Sequence, residues 1–293
     1  MRPVRELVLE EYWDIAYRRY TENDSVVDAD GNKLEFELLR ATKRYWYADP
    51  FLFKKDGKTY LFVEMFDNIT ERGVIGVSEY VNGVFTEPQV VLEESFHLSY
   101  PLVFEKDGRV YMMPETHEDK CIQLYEAVEF PTVWKKSCVL VGDVNAVDTV
   151  EENGLLVASV ICPENDMSVN LSIYGKNGEE MPYSPVYTHS FLKRGAGDCF
   201  NHNELRLRPS QCCENGNYGG KVIFNKITQC DENGYCEEVY NEITPDNIDT
   251  CEKCEAGGIH TYARTDEIEV VDIKFKRTNT SRLLWIAKKK LGV

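Results

Sequence analysis

The chain has 293 residues, 43% hydrophobic and 12% aromatic, which is enough for a packed core and excludes a disordered chain. A formal charge of −17 and a pI near 4.8 set most of the surface against nucleic acid phosphates. The start, MRPVRELVLEEYW, lacks an apolar signal-peptide core, and no apolar run is of membrane-spanning length, so the expectation is a cytoplasmic chain.

In chain order, LVLEEYWDIAYRRY (7 to 20) alternates as a strand. Two hairpins then repeat one pattern. YADPFLFKKDGKTYLFVEMF and SYPLVFEKDGRVYMMPET place Pro50 and Pro101 seven residues before Gly57 and Gly108, with Asp-Gly as the turn, a period of about 51 residues. VDTVEENGLLVASVI is a weaker third copy, turning at Asn153-Gly154. LRPSQCCENGNYGGKVIFNKI repeats the interval from Pro209 to Gly216, and GIHTYARTDEIEVVDIKF is a short fifth copy. The stretches between copies, such as RGVIGVSEYVNGVFTEPQVVLEE, read as two further strands each.

This predicts an all-β, five-bladed β-propeller with about four strands per blade, its ring closed by the N-terminal strand joining the last blade. The blades fall near 47–96, 99–144, 146–190, 200–245, and 257–276 with 7–20, giving one domain over 1–276 and a basic tail over 277–293. An irregular two-sheet sandwich is the plainer alternative. The tail, SRLLWIAKKKLGV, has an apolar face and a Lys run suited at most to peripheral membrane contact, or to packing on the propeller. The ten cysteines, without an export signal, read as mostly reduced. Cys251 and Cys254 have metal-ligand spacing, but no second spaced pair accompanies them, so no metal is assigned and no cofactor is called for.

First strands of propeller blades line the central channel, so Asp49, Tyr100, Asp148, Arg208 and His260, at matching repeat positions, are expected to converge there. Glu64 and Glu115 each lie 15 residues further on and are expected to form a second ring of carboxylates, whose mutual repulsion favours acid/base use. The alternative is that these acids pair with arginines and only rigidify the channel. Trp46 beside Asp49 offers a sugar-stacking face, and His97, His202, His260 and Gln211 are candidates for hydroxyl contacts.

The segments WYADPFLFKKDGKTYLFVE, ESFHLSYPLVFEKDGRVYMMPET, IQLYEAVEFPTVW, AVDTV, LRPSQ, YGGKVIFNKI and GIHTYA resemble, over most of the chain, the N-terminal domain of glucosamine inositolphosphorylceramide transferases. More distantly the pattern is similar to five-bladed glycosidases of the arabinanase, xylosidase and invertase type. That resemblance implies a catalytic role for Asp49 in its Asp-Pro motif and an orienting role for Asp148. Where those glycosidases carry their general acid on blade four, this chain has Arg208, which weakens simple hydrolysis and suits an anion clamp for a sugar phosphate or nucleotide sugar.

The expected function is thus a carbohydrate-active enzyme that transfers or cleaves a glycosyl unit in surface-polysaccharide or glycolipid synthesis. Asp49 is its base or nucleophile, and Glu115 or Glu64 its acid. The rival readings are a glycan-binding propeller working with a separate glycosyltransferase, and a glycoside hydrolase. The expected partners are a glycan, sugar phosphate or nucleotide sugar, with no nucleic acid polymer.

Overall fold

Strand segments punctuated by Asp-Gly and Asn-Gly dictate hairpins, and the computed structural model of the chain is built from them. It describes residues 9–21, 23–162, 165–186, 193–213, 218–252, 256–281, 283 and 285, with 165–167 described by backbone alone. Asp56-Gly57, Asp107-Gly108 and Asn153-Gly154 each take two successive positive φ values, near 50° and then 71° to 79°. Two-residue hairpin turns require that geometry, and Asp, Asn and Gly tolerate it. They fold Tyr45–Lys55 onto Lys58–Asp67, Ser99–Lys106 onto Arg109–Glu115, and Ala146–Glu152 onto Leu155–Cys162.

Among the described residues there are five antiparallel sheets and one parallel pair, Leu34–Glu35 with Ile248–Asp249. The first sheet adds Arg72–Val81 and its outer neighbours Val84–Phe85 and Gln89–Leu92. The second continues with Cys121–Glu129 and Val133–Gly142, and the third with Asn165–Tyr174. In the fourth, the short strands Arg194–Gly195 and Phe200–His202 flank Leu205–Cys212, which is followed by Lys221–Asp231 and Gly234–Ile243. The fifth joins distant parts of the chain in the order Tyr262–Arg264, Ile268–Thr278, Leu9–Arg19, Glu37–Leu39. Five sheets, each a meander or nearly so, displace the two-sheet sandwich.

The first strands of the sheets meet one another. Tyr45–Lys55 lies against Ser99–Lys106 on one side and Tyr262–Arg264 on the other, and Ala146–Glu152 lies against Ser99–Lys106 and Arg194–Gly195. Tyr262 donates its backbone N–H to Ala196 O at 2.7 Å. Because sheets cover one another on both faces, their middle strands lose the usual alternation: Lys58–Asp67 buries a run of six residues from Tyr60 to Met65. Between sheets, Phe51 and Tyr100 pack edge to face with centroids 4.7 Å apart, within a cluster that includes Leu102, Met112, Ile122 and Ile173. Burying each such side chain contributes about 1.5–3 kcal/mol. The outer strand Val133–Gly142 is mostly exposed and carries Lys135 and Lys136, charges that discourage edge pairing with another chain.

Two expectations need correction or fall elsewhere. The fourth sheet begins at Arg194 rather than near 200, and Leu205–Cys212, which carries Arg208, is not its first strand. The sequence pattern misses this because the true first strand is split into two short pieces around Ala196-Gly197. The Lys run of the C-terminal tail and Cys254 of the cysteine pair lie outside the described residues. No helix among the described residues is long and apolar enough to cross a membrane.

Candidate functional site

Asp49, Tyr100 and Asp148 share one backbone conformation, with φ of 48°, 49° and 49°. Each falls where strand register slips: between Ala48 and Phe51, between Ser99 and Leu102, and between Val147 and Val150. A bulge of this kind re-aims a side chain, and the positive φ of a non-glycine residue persists only where surrounding structure enforces it. Asp49 and Asp148 are thereby turned into a pocket of about 350 Å³. One strand outward, Glu64 pairs with Ala48 and Glu115 with Ser99, so both glutamates occupy the same place relative to the bulge and line the same pocket.

Asp49 is almost completely buried and is held by three donors or positive neighbours. Thr261 Oγ1 donates to Oδ1 at 2.9 Å, Tyr100 N–H donates to Oδ2 at 3.2 Å, and His260 Nε2 lies 3.5 Å from Oδ1. Burial pushes its carboxyl up to about 6, against the pull of His260. Asp148 is clamped by Arg194, whose Nε and Nη2 donate to its two oxygens at 2.7 and 3.0 Å. Burial still raises Asp148 above the ordinary carboxylate value despite that clamp.

The two glutamates have different partners. Burial, with Asp49, Glu115 and Asp272 nearby, pushes Glu64 well above the usual range, and His97 Nε2 lies 3.3 Å from its Oε1. Burial acts on Glu115 in the same direction but is outweighed by the 2.8 Å contact with His117 Nδ1 and by the Arg194 charge, so Glu115 is lowered. Aromatic faces border these acids. Trp46 stacks on Phe66 with centroids 4.5 Å apart, Trp13 stacks on His260 at 4.2 Å, and the exposed Tyr218 ring stands between Arg194 and His260.

Of the residues named from sequence, Asp49, Glu64, Glu115, Asp148, Trp46, His97 and His260 line this pocket, while Tyr100, Arg208, Gln211 and His202 do not. Tyr100 is a strut: its hydroxyl accepts from Gly197 N–H at 2.7 Å and donates to Gly197 O at 3.0 Å. Gln211 donates to Gly195 O across the fourth sheet. His202 Nε2 lies 2.8 Å from Asp28 Oδ2, and its Nδ1 accepts from Arg264. Arg208 is fully buried with Glu237 and Tyr235, Nη2 donating to Glu237 Oε1 at 2.7 Å and Nε to the phenol oxygen at 3.0 Å. The anion-clamp role read for it therefore fails, and the arginine of the pocket is Arg194. Sequence reading also missed His117, Trp13, Tyr218 and Asp272. Of these, Asp272 alone left a signal, as an acid set between apolar residues in VVDI.

Asp272 is the hidden support of the site. Its Oδ1 accepts the N–H groups of His260 and Thr261, both at 2.9 Å, and its Oδ2 accepts Asp49 N–H at 3.0 Å and lies 2.5 Å from His260 Nδ1. Asp49, His260 and Asp272 bring one potential ligand atom each to within 4.8 Å of one another, close enough to hold a metal ion. The carboxylate oxygens of both acids are already engaged by backbone and hydroxyl donors, which fits a bracing cluster equally well.

Residues 40–256 match the family model described as glucosamine inositolphosphorylceramide transferase 1, N-terminal. Glucosamine inositolphosphorylceramide transferase 1 of Oryza sativa subsp. japonica is 34% identical over 208 residues, covering 66% of this chain and 28% of that protein. The protein of the same name in Arabidopsis thaliana is 31% identical, covering 65% of this chain and 26% of its own length. The matched region thus spans little more than a quarter of these curated relatives. Among solved structures, a glycoside hydrolase superposes with a TM-score of 0.54 at 8% identity over 80% of this chain and 89% of that one. The α-L-arabinofuranosidase PaAbf62A from Podospora anserina gives 0.50 at 9% identity over 80% and 91%. At such identities the likeness is one of fold.

Proposed function

Because the chain belongs to the family described as glucosamine inositolphosphorylceramide transferase 1, N-terminal, we propose that its five sheets are blades of one closed five-bladed propeller whose central pocket acts on a glycosyl unit. The observation that carries this reading is the convergence of four carboxyl side chains, from three sheets, on one pocket flanked by stacked aromatic rings. Sugars present hydroxyls to acids and apolar faces to rings, and glycosyl chemistry needs carboxyls in different protonation states. Closure is supported by the contacts among the first strands of four sheets and of the fifth with the first, by the Tyr262–Ala196 hydrogen bond between the fifth and fourth, and by the pairing of Leu9–Arg19 with Ile268–Thr278 along its whole length.

In this reading Asp49 is the base or nucleophile. With its carboxyl at about 6 it is mostly ionised at neutral pH and loses that capacity as pH falls below about 6, which sets the acid limb of the rate profile. Asp148, fixed by Arg194, orients the substrate and keeps negative potential beside the reacting carbon. Glu64, pushed well above the usual carboxylate range, is the carboxyl of the pocket that favours its protonated form and suits a hydrogen bond to a substrate oxygen, whereas Glu115, held below that range, favours the ionised form. The relatives are named as glucosamine inositolphosphorylceramide transferases, and this suggests glucosamine and inositolphosphorylceramide as the substrate classes.

The relatives extend well beyond the matched region, and this favours a second reading in which the propeller binds glycan for a separate transferase. Turnover of a glucosaminyl donor, together with binding by thermal shift, separates the two. If the site is catalytic, Asp49→Asn removes at least about 10³-fold of the turnover while sugar binding persists. If it only binds, wild type shows a shift with no turnover, and Asp49→Asn merely alters affinity.

A further inference from the structure

Two histidines of the pocket contact glutamates, and their wiring differs. His97 Nδ1 accepts the backbone N–H of Gly73 at 3.0 Å, which fixes the ring proton on Nε2, facing Glu64. His117 is reversed: its Nδ1 lies 2.8 Å from Glu115 Oε1, leaving Nε2 on the far side of a ring that lines the pocket. No partner for that nitrogen occurs among the described residues. The His117 side chain is 30% exposed, against 9% for Glu115, so it exchanges protons with solvent while its orienting carboxylate stays buried.

We propose that His117, oriented by Glu115, is the proton donor to the leaving oxygen in this pocket, an assignment that rests on the glycosyl-transfer reading above. In the step, the bond between the anomeric carbon and the departing oxygen breaks with its electron pair going to oxygen. That oxygen takes the proton from His117 Nε2, and the ring ends neutral with its Nδ1 proton still donated to Glu115. The acceptor hydroxyl forms the new carbon–oxygen bond and passes its proton to ionised Asp49. Solvent then returns one proton to His117 and removes one from Asp49.

Glu64 is the competing donor, and its surroundings count against it. Giving up its proton would place a new negative charge in a buried position beside Asp49, Glu115 and Asp272. His117 instead sheds a positive charge, which its partial burial favours. The groups acting on the ring are Glu115 and Glu118, which favour the protonated form, and Arg194 and His97, which oppose it along with burial. The Glu115 hydrogen bond leads, so the ring holds its proton to higher pH than an ordinary histidine.

The test uses the full chain and two probes, 2,4-dinitrophenyl glucosaminide, whose leaving group departs without a proton, and methyl glucosaminide, whose leaving group needs one. His117→Gln should lose about 10²–10⁴-fold on the methyl substrate and less than about 10-fold on the dinitrophenyl one. NMR titration of the imidazole should place His117 above the ordinary histidine value, and Glu115→Gln should bring it down together with the alkaline limb of the rate profile. Equal losses on both substrates, or a His117 titration unmoved by Glu115→Gln, overturns the assignment and leaves the glycosyl-transfer reading standing. A wild-type chain that turns over neither probe removes both.

Discussion

Glu64 and Glu115 are the same residue twice, at one position of a repeated hairpin and each beside a histidine, yet their carboxyls shift in opposite directions. Burial acts in the same sense on both. What separates them is how closely each histidine meets its glutamate. His97, held at Nδ1 by the Gly73 backbone, is pushed below the usual histidine value by its own burial and stands 3.3 Å from Glu64, which receives little help against desolvation. His117 meets its glutamate directly and rises, with Arg194 near enough to assist. Repetition supplies two identical carboxyl positions, and their different histidine contacts leave one raised and the other lowered. Two carboxyls in different states are what acid/base chemistry requires.

Replacing each glutamate by glutamine tests this divergence, and the signs must differ. Glu115 is lowered in the folded state, so its contribution is present above the ordinary carboxylate value near 4.5 and lost as pH falls through the folded value. Glu115→Gln should therefore cost about 1.5–3 kcal/mol at pH 7, the worth of a charged hydrogen bond, and the cost should shrink in acid, as denaturant titrations at several pH values would reveal. Next in size is Gly73→Ala. A Cβ there would come within 2.8 Å of Glu64 Oε1 and of His97 Cε1 and would run into Leu98 O, so overpacking should cost about 1–3 kcal/mol and disturb the Glu64 side of the pocket alone. The smallest effect is a gain. Glu64 is raised on folding, so its favourable contribution exists below about 4.5 and disappears as pH rises through the folded value. Glu64→Gln should stabilise the chain on the order of 1 kcal/mol at pH 8 and hardly at all at pH 4. Calorimetric melting at those two pH values reads it, and a loss at pH 8 would mean that Glu64 is ionised and paired.

Much of this arrangement was legible in the sequence because hairpin turns leave local marks. Asp-Gly and Asn-Gly pairs, Pro at a fixed interval and an acid 15 residues on placed Asp49, Tyr100, Asp148, Glu64 and Glu115 in register, and the pairing of Leu9–Arg19 with Ile268–Thr278 followed from an unfinished fifth copy. The fourth copy misled for a physical reason. Its first strand, from Arg194 through His202, is broken by Gly195 and Gly197, the latter at φ of 129°, so it carries no alternation, while Leu205–Cys212 alternates well and was taken in its place. The arginine that faces the pocket is therefore Arg194 on the broken strand, while Arg208 on the alternating one is buried with Glu237. His117 was missed because it follows its strand in a 3-10 turn, where periodicity says nothing about direction. Tyr100 shows the limit of the repeat itself, since an equivalent backbone position delivered a core ring with a bracing hydroxyl rather than a site residue.

The support that Asp272 gives to Asp49 has a bearing on biosynthesis. Asp272 sits on Ile268–Thr278, more than two hundred residues beyond the strand whose bulge it braces. A ribosome that has completed four sheets has therefore produced every acid of the pocket but not the hub that orders Asp49, His260 and Thr261. Until Ile268–Thr278 has been made, neither its pairing with Leu9–Arg19 nor the Asp272 contacts to Asp49, His260 and Thr261 can form, so one late strand both completes the last sheet and braces the pocket.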